Sequence, residues 1–200
     1  MKIFRLMLVV SLAALAMPAL TFAGVIDFEG FPDGTVFTTQ NFGDGVTFAG
    51  AQILSQGGSL NYTQFPPHSG INVVYNPSGP MTLTFTTPVD FFSGYFTYND
   101  GMTITAYDSS SALIATVNGA CSANYVGSTC GAPNEFLTVT DPGMISSVTI
   151  TGGSGNNFTL DDASFTGSIN AGAVPEPGTI SLLLGGLGCF AYFGRRKRII

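Results

Sequence analysis

Two pairs of acidic residues lie in stretches whose pattern predicts β-strands. One pair lies near each end of the central part of this 200-residue sequence. In the first, VIDFEG, Ile26 and Phe28 share one face of an extended strand. Because side chains alternate along a strand, Asp27 and Glu29 point to the opposite face. The first pair therefore presents two carboxylates side by side.

The second pair, Asp161 and Asp162, lies inside NFTLDDASF. The apolar positions before the pair and after it are out of phase, so the strand register flips across the two aspartates. A β-bulge produces such a flip and re-aims the side chains at the bulge. The sequence therefore predicts a bulge that redirects two carboxylates.

Carboxylate oxygens are the ligands that calcium prefers in proteins. The acids Asp27, Glu29, Asp161 and Asp162 are therefore candidate ligands of a structural calcium ion, the one cofactor that the sequence suggests. The alternative is that these acids only keep strand edges soluble, and the sequence alone leaves both interpretations open.

The charge distribution limits the classes of partner that the central part of the chain can bind. All six basic residues lie at the chain ends, and eleven of the twelve acidic residues lie between Gly24 and Gly172, where there is no Lys or Arg. Nucleic acid is excluded as a partner, because its phosphates require cationic contacts. Carboxylates that cluster here must be solvated, protonated or bound to an external cation.

Catalytic chemistry has little support in the sequence. The single histidine, His68, follows Pro66-Pro67 in a predicted loop, and no G-x-S-x-G element accompanies it. The acids form no recognisable pair for glycoside hydrolysis, and the chain contains no tryptophan. We therefore predict that the protein is not an enzyme and that His68 is an exposed loop residue.

Cysteine spacing predicts one disulfide. Cys121 and Cys130 bracket the small and polar stretch SANYVGST, and an exported domain favours their oxidation. The bond would close a ten-residue loop and contribute about 2.5–3 kcal/mol. A metal or redox pair is the alternative, although neither close spacing nor a nearby histidine supports it. Cys189 lies in an apolar run near the C-terminus.

Sugar binding requires aromatic platforms with polar neighbours. The available rings are Tyr62, Phe65, Tyr75, Tyr95, Tyr98 and Tyr125. Of these, Tyr62, Tyr95 and Tyr98 are the candidate glycan-stacking residues. The alternative is that these rings pack in the core, since strand alternation must bury part of the stretch that carries Tyr95 and Tyr98.

The segments that carry these residues have sequence patterns that predict β-strands. Period-two alternation is clear in MTLTFT, MTITAY and SVTIT, which place apolar residues on one face and threonines on the other. Turn signals such as Asn99-Asp100-Gly101 and Asp141-Pro142-Gly143 separate about ten short strands. This pattern predicts an all-β fold, an antiparallel β-sandwich, with a long surface loop at Ser55–Gly70.

The N-terminus carries the pattern of an export signal. Lys2 and Arg5 precede the apolar run Leu6–Ala16, and Thr21-Phe22-Ala23 forms a small-residue cleavage site before Gly24. We therefore predict a signal peptide at 1–23, a β-sandwich domain at 24–166 and a flexible linker at 167–173.

The C-terminal tail combines three features in a fixed order. A Val-Pro-Glu-Pro element is followed by the uncharged run Ile180–Phe193 and then by a basic cluster. As a helix, the run would span about 21 Å, against about 30 Å of bilayer hydrocarbon. The cations should remain on the cytoplasmic side. The residues of the two polar elements are Val174, Pro175, Glu176, Pro177 and Arg195, Arg196, Lys197, Arg198.

The order of these elements over 174–198 resembles the PEP-CTERM sorting signal of Gram-negative bacteria. The resemblance implies a transmembrane helix that holds the chain in the inner membrane. It also implies cleavage at Pro-Glu-Pro by the membrane protease-transpeptidase exosortase, after signal peptidase has acted at the other end. An ordinary C-terminal membrane anchor is the alternative.

The central domain resembles the jelly-roll modules of PEP-CTERM proteins and carbohydrate-binding-module sandwiches. VIDFEG, FTTPVDFFSGYFTYNDG and NNFTLDDASF carry this resemblance. It implies that the first and last strands meet, which would bring Glu29 close to Asp161 or Asp162.

Together the resemblances imply a surface or extracellular protein that is structural or adhesive in exopolysaccharide or biofilm matrix. A carbohydrate-binding module is the alternative function.

Overall fold

A computed structural model describes residues 22–42, 45–77, 79–153 and 157–167 of the chain. Every regular element in these ranges is a β-strand, and every strand pair is antiparallel. The all-β antiparallel fold predicted from the sequence is confirmed. The strands are β1 (Phe22–Ile26), β2 (Val36–Phe37), β3 (Gln40–Asn41), β4 (Val46–Ala49), β5 (Ala51–Ser55), β6 (Asn72–Tyr75), β7 (Met81–Tyr98), β8 (Met102–Tyr107), β9 (Leu113–Asn118), β10 (Glu135–Gly152) and β11 (Phe158–Gly167).

Two of the strands are much longer than the sequence predicts. β7 and β10 each contain 18 residues, whereas the sequence predicts two short strands in each region, at 81–86 and 91–98 and at 136–140 and 147–151. The predicted turn Asp141-Pro142-Gly143 is wrong, because β10 continues through it with a register shift between Thr140 and Ile145. A bulge absorbs these turn-forming residues, with Gly143 at a positive φ of 70°, while the ladder resumes on either side.

The eleven strands are joined by hydrogen bonds into one continuous sheet, and β7 and β10 run through both of its layers, which we call the front sheet and the back sheet. The front sheet contains β1, β2, β5, β6, β11 and the paired segments 91–98 of β7 and 135–140 of β10. The back sheet contains β3, β4, β8, β9 and the remaining halves of β7 and β10. Phe85 of the back sheet packs on Phe165 of the front sheet with ring centroids 5.2 Å apart. The two sheets therefore face each other across one core, as in a β-sandwich.

The core follows the alternation read from the sequence. The apolar positions of MTLTFT, MTITAY and SVTIT are all buried, with at most 5% of each residue exposed. The intervening threonines point outward, because successive side chains of a strand alternate between its faces. The period-two prediction is confirmed in these three segments.

The first and last strands meet, as the resemblance implied. β1 pairs with β11, and Ile26 lies opposite Ala163. The register of β11 against β7 shifts between Asp161 and Ser164, and Asp162 has a positive φ of 46°. The predicted bulge at the aspartate pair is confirmed. Because of it, β11 pairs with β6 before the bulge and with β1 after it.

Two long loops accompany the front sheet. The 56–71 loop joins β5 to β6, in agreement with the predicted surface loop. The disulfide loop, residues 119–134, joins β9 to β10 and is closed by a bond between Cys121 and Cys130, whose Cα atoms are 5.7 Å apart. The predicted disulfide is confirmed. The Val126 amide donates to the Gln64 carbonyl at 3.0 Å, so the two loops contact each other.

The targeting segments lie outside the described residues, apart from the last two positions of the predicted signal peptide, with which β1 begins. The sorting element Val174–Pro177, the apolar run with Cys189 and the basic cluster Arg195–Arg198 all belong to the part that is not described. Over the described ranges, the chain forms no apolar helix of membrane-spanning length.

Candidate functional site

Four carboxylates hold the 56–71 loop in place, two from the segment that joins β1 to β2 and two from β11 of the front sheet. The first is Asp33, whose Oδ1 accepts hydrogen bonds from the Ser55 amide at 2.8 Å and from the Ser59 hydroxyl at 2.6 Å. Its Oδ2 accepts from the Ser59 amide at 3.1 Å. The Ser59 hydroxyl and the backbone amides hold the pKa of Asp33 below its usual value. Asp33 therefore fixes the start of the loop as a charged acceptor.

Glu29 fixes the end of the loop. Its Oε1 accepts from the backbone amides of Ile71 at 2.9 Å and Asn72 at 2.8 Å. A Cβ at Gly70, which has a positive φ of 53°, would lie 2.3 Å from this carboxylate. Glycine at this position therefore serves both the turn and the close approach of Glu29.

Asp161 anchors the loop between these two points. Only 1% of this residue is exposed, and its Oδ2 accepts from the amides of His68 at 2.7 Å and Ser69 at 3.0 Å. Burial raises the pKa of Asp161 to about 6, and the neighbouring charge of Asp162 acts in the same direction. The amide hydrogen bonds oppose this shift, because they stabilise the ionised form.

Asp162 holds the same loop through side chains. Its Oδ2 lies 2.7 Å from Nδ1 of His68, and its Oδ1 accepts from the Ser69 hydroxyl at 2.9 Å. The His68 ring stacks on Tyr95 with centroids 3.4 Å apart and planes 8° from parallel. This histidine is therefore a structural contact between the loop and the sheet.

The sequence did not predict that His68 joins the loop to the sheet, because nothing around this residue matches a motif. One signal was available: in a region with no Lys or Arg, the one histidine is the only side chain that can offer a carboxylate a positive charge.

The four acids proposed as calcium ligands are not gathered into one cluster. Glu29, Asp161 and Asp162 face different amides and side chains of the loop, and Asp27 accepts from the Glu29 amide at 3.2 Å. Among the residues that the structure describes, no group of three or more acidic, histidine or cysteine side chains could hold a metal ion. The predicted grouping is therefore not formed, and calcium binding stays a prediction.

On its other side, the anchored loop lines a groove over the front sheet. Gln52, Tyr75 and Thr159 are register neighbours across β5, β6 and β11 and lie in one row of the groove. The main part of the groove has a volume of about 440 Å³. Its remaining lining comes from Leu54, Ser59, Leu60, Asn61, Phe65, Asn99, Asn157 and Phe158.

The groove continues toward the disulfide loop. A second hollow of about 200 Å³ shares Phe65 and Asn99 with the first and is completed by Gln64 and Tyr125. The rings of Phe65 and Tyr125 stack with centroids 6.2 Å apart. One face of the groove therefore comes from the 56–71 loop and another from the disulfide loop.

The three tyrosines predicted as glycan platforms occupy three different environments. Tyr62 is 46% exposed, but it does not line the groove. Tyr95 is stacked against His68 and tilted against Phe136 at 5.2 Å.

Tyr98 is fully buried, so its prediction as a platform is wrong. It lies in phase with Phe96, and strand alternation turns both rings into the core. Burial and the adjacent Glu135 carboxylate raise the pKa of Tyr98 to about 12. Phe65, Tyr75 and Tyr125, which the sequence also offers as rings without singling them out, are the ones that line the groove. Nothing local in the sequence shows which outward rings border a hollow.

Comparison with known families adds a finding outside the sandwich. Residues 173–198 match the model of the PEP-CTERM protein-sorting motif. The chain carries a PEP-CTERM sorting signal. This confirms the resemblance seen in Val174–Pro177 and the tail that follows, and it indicates an exported protein. No curated protein matches the chain.

Solved structures with similar folds include carbohydrate-binding modules. A family 29 module complexed with mannohexaose is 12% identical over 74% of this chain and 92% of that chain, with a TM-score of 0.38. A Clostridium thermocellum endo-1,4-beta-D-xylanase complexed with xylohexaose is 15% identical over 72% of this chain and 30% of that chain, with a TM-score of 0.37. Likenesses at these scores say nothing about what this chain binds.

Proposed function

We propose that this chain is an exosortase-processed surface or extracellular protein whose β-sandwich is a non-catalytic structural or adhesive element of exopolysaccharide matrix. The observation that carries the proposal is the PEP-CTERM match at residues 173–198. The charge distribution supports it: with the tail and signal peptide removed, the product has no Lys or Arg.

The proposed route uses both chain ends. Signal peptidase removes residues 1–23, and the sandwich at 24–166 is exported. The apolar run holds the chain in the inner membrane transiently, with the basic cluster on the cytoplasmic side. The linker at 167–173 gives exosortase access to Pro175–Pro177, which proline keeps extended and out of helix.

A non-catalytic role is supported by the geometry around His68. Ser69 donates its hydroxyl to Asp162, and Nδ1 of His68 faces the same carboxylate. The serine hydroxyl is therefore not directed at the imidazole, as activation of a serine nucleophile would require.

Carbohydrate binding is the second candidate function. The observation that favours it is the groove between the two loops, which is lined by amide side chains and aromatic rings. A plain C-terminal membrane anchor is the remaining alternative for the tail.

Intact mass spectrometry of the protein recovered from its producing cells tests the proposal. We expect a mass that begins at Gly24 and lacks Arg195–Arg198, and we expect the protein in the extracellular or surface fraction. A double Pro175→Ala and Pro177→Ala variant should keep the tail and remain in the membrane fraction.

The matched control is Asn170→Ala, which lies in the linker and outside the sorting motif. It should be processed like the wild type. A wild-type mass that still includes Arg195–Arg198 would overturn processing and establish the plain anchor.

A further inference from the structure

The groove over the front sheet has the dimensions of a ligand site. Its two hollows, of about 440 Å³ and about 200 Å³, join at Phe65 and Asn99. Sites for small molecules have volumes of about 300–1,000 Å³. A ligand that extends along the groove would therefore pass from Tyr75 on the sheet to Tyr125 on the disulfide loop.

The chemistry of the lining is amide and aromatic. Within the described residues, neither hollow is lined by a charged side chain. An amide side chain both donates and accepts hydrogen bonds, as a ligand hydroxyl does, while an aromatic ring packs against apolar C–H surface. The amides are Gln52, Asn61, Gln64, Asn99 and Asn157, and the exposed or half-buried rings are Phe65, Tyr75 and Tyr125.

Asn61 illustrates how these amides keep hydrogen-bonding capacity. Its Nδ2 donates to Gln64 at 2.6 Å, and its Oδ1 accepts from Thr63 at 2.7 Å. An amide offers two N–H groups and two lone pairs. Asn61 is therefore oriented by its loop and can still donate to a ligand and accept from it.

Charge determines which hydroxyl-rich ligands fit. The region between Gly24 and Gly172 has eleven acidic residues and no Lys or Arg. A polyanion would be repelled by this field and would find no cationic partner. The groove therefore favours a ligand without charge.

The groove is also pre-formed. Asp33, Glu29, Asp161 and Asp162 fix one bordering loop, and the disulfide closes the other. Loops that are ordered before binding lower the entropy cost of binding.

We propose that this groove binds a segment of an uncharged polysaccharide, with Tyr75 and Phe65 as ring platforms and the surrounding amides as hydroxyl partners. This inference rests on the proposed function, since it names the class of matrix component that the sandwich would contact.

Affinity gel electrophoresis tests this assignment. The protein is recovered from producing cells in a detergent without a sugar headgroup. It is then run through gels containing a neutral β-glucan, mannan, xylan or galactan, and through gels containing alginate or polygalacturonate. We expect retardation by at least one neutral polymer and by neither acidic one. Tyr75→Ala should weaken retardation about tenfold or more, as expected for an aromatic anchor.

Tyr62→Ala is the matched control, because Tyr62 is an exposed tyrosine of the bordering 56–71 loop that does not line the groove. It should migrate like the wild type, and thermal unfolding should show that both variants are folded. Asn99→Asp adds one charge at the junction of the hollows and should weaken retardation even if Tyr75→Ala fails to fold.

Three results would overturn the assignment: no retardation in any neutral gel, retardation by the acidic polymers, or equal losses in Tyr62→Ala and Tyr75→Ala. The intact mass of the same sample reports processing of the tail independently. Failure of the groove assignment is thus distinguishable from failure of the proposed function.

Discussion

The outward faces of the two sheets carry the same residue type in the same strand phase, yet they have different environments. On the back sheet, the outward threonines Thr82, Thr103, Thr105 and Thr149 remain partly exposed. On the front sheet, the outward threonines Thr97 and Thr159 are buried, at 0% and 5% exposed. The two long loops account for the difference, because they cover part of the outward face of the front sheet. The part that they leave uncovered is the groove between them.

The comparison shows what burial of an outward face requires in a region without Lys or Arg. The carboxylates that hold the covering loop accept from backbone amides, hydroxyls and His68. On the back sheet, Asp108 makes comparable bonds to Ser110 and Ala112 only within its own turn. The same kind of carboxylate hydrogen bond closes a single turn on the back sheet, whereas on the front sheet it holds the loop that borders the groove.

Removal of the disulfide should have the largest effect on stability among the changes that distinguish the front sheet from the back sheet. In a Cys121→Ser and Cys130→Ser double variant, we expect the free energy of unfolding to fall by about 2.5–3 kcal/mol, because the unfolded chain regains loop entropy. Buried Asn124 lies inside the loop and accepts from the Tyr98 amide at 2.6 Å, so the change reaches the front sheet. Chemical denaturation measures the difference.

The control for this variant is Thr116→Ala, an exposed position of β9 on the back sheet, which should change stability by less than about 0.5 kcal/mol. An equal loss in both variants would contradict a special role of the disulfide loop. So would an unchanged stability of the double serine variant.

The next effect is a pH dependence that belongs to the front sheet. The pKa of Asp161 is raised from its ordinary value to about 6, so the folded state holds a proton that the unfolded state releases. Its contribution to stability is full below the unfolded pKa of about 4 and is lost as pH rises through about 6. We expect a fall on the order of 2 kcal/mol between about pH 4 and pH 7.

Asp161→Asn should flatten this profile, because its side chain does not titrate. Asp108→Asn on the back sheet is the matched control. The pKa of Asp108 is lowered by its hydrogen bonds with Ser110 and Ala112, so its contribution is lost only as pH falls below the ordinary range of Asp. Denaturation curves at about pH 4, 5, 6 and 7 distinguish the two. An unchanged slope in Asp161→Asn would assign the pH dependence to other groups.

The sequence predicted those features that depend on local pattern. Strand alternation placed Met81, Leu83 and Ile104 in the core, and the change of phase at Asp161-Asp162 located the bulge. The cysteine spacing predicted the disulfide. Each of these features is determined by a few neighbouring residues.

The site was less predictable, because its partners are far apart in the chain. His68 and Asp162 are separated by 94 positions, and Ile71 and Glu29 by 42. Period-two patterning identifies an outward face but not the loop that covers it. For the same reason, the turn signal at Asp141-Pro142-Gly143 was misleading: the ladder on both sides outweighed local turn preference.

The smallest effect concerns Tyr98, which the sequence suggested as a glycan platform and the structure places in the core. Its hydroxyl donates to Oε2 of Glu135 at 2.5 Å and accepts from the Cys121 amide at 3.2 Å. Tyr98→Phe should therefore lower the free energy of unfolding by about 1–2 kcal/mol, because a charged acceptor and an amide lose their partner. Tyr75→Phe, which keeps the ring in the groove, should change stability by less than about 0.5 kcal/mol.

Affinity electrophoresis of Tyr98→Phe and Tyr98→Leu separates the two roles of this residue. A core residue affects retardation by polysaccharide only as far as it unfolds the protein, so folded variants should migrate like the wild type. If a folded Tyr98→Leu variant lost retardation while Tyr75→Ala kept it, the ring platform would lie at Tyr98. The contrast between the covered front sheet and the open back sheet would then no longer locate the binding face.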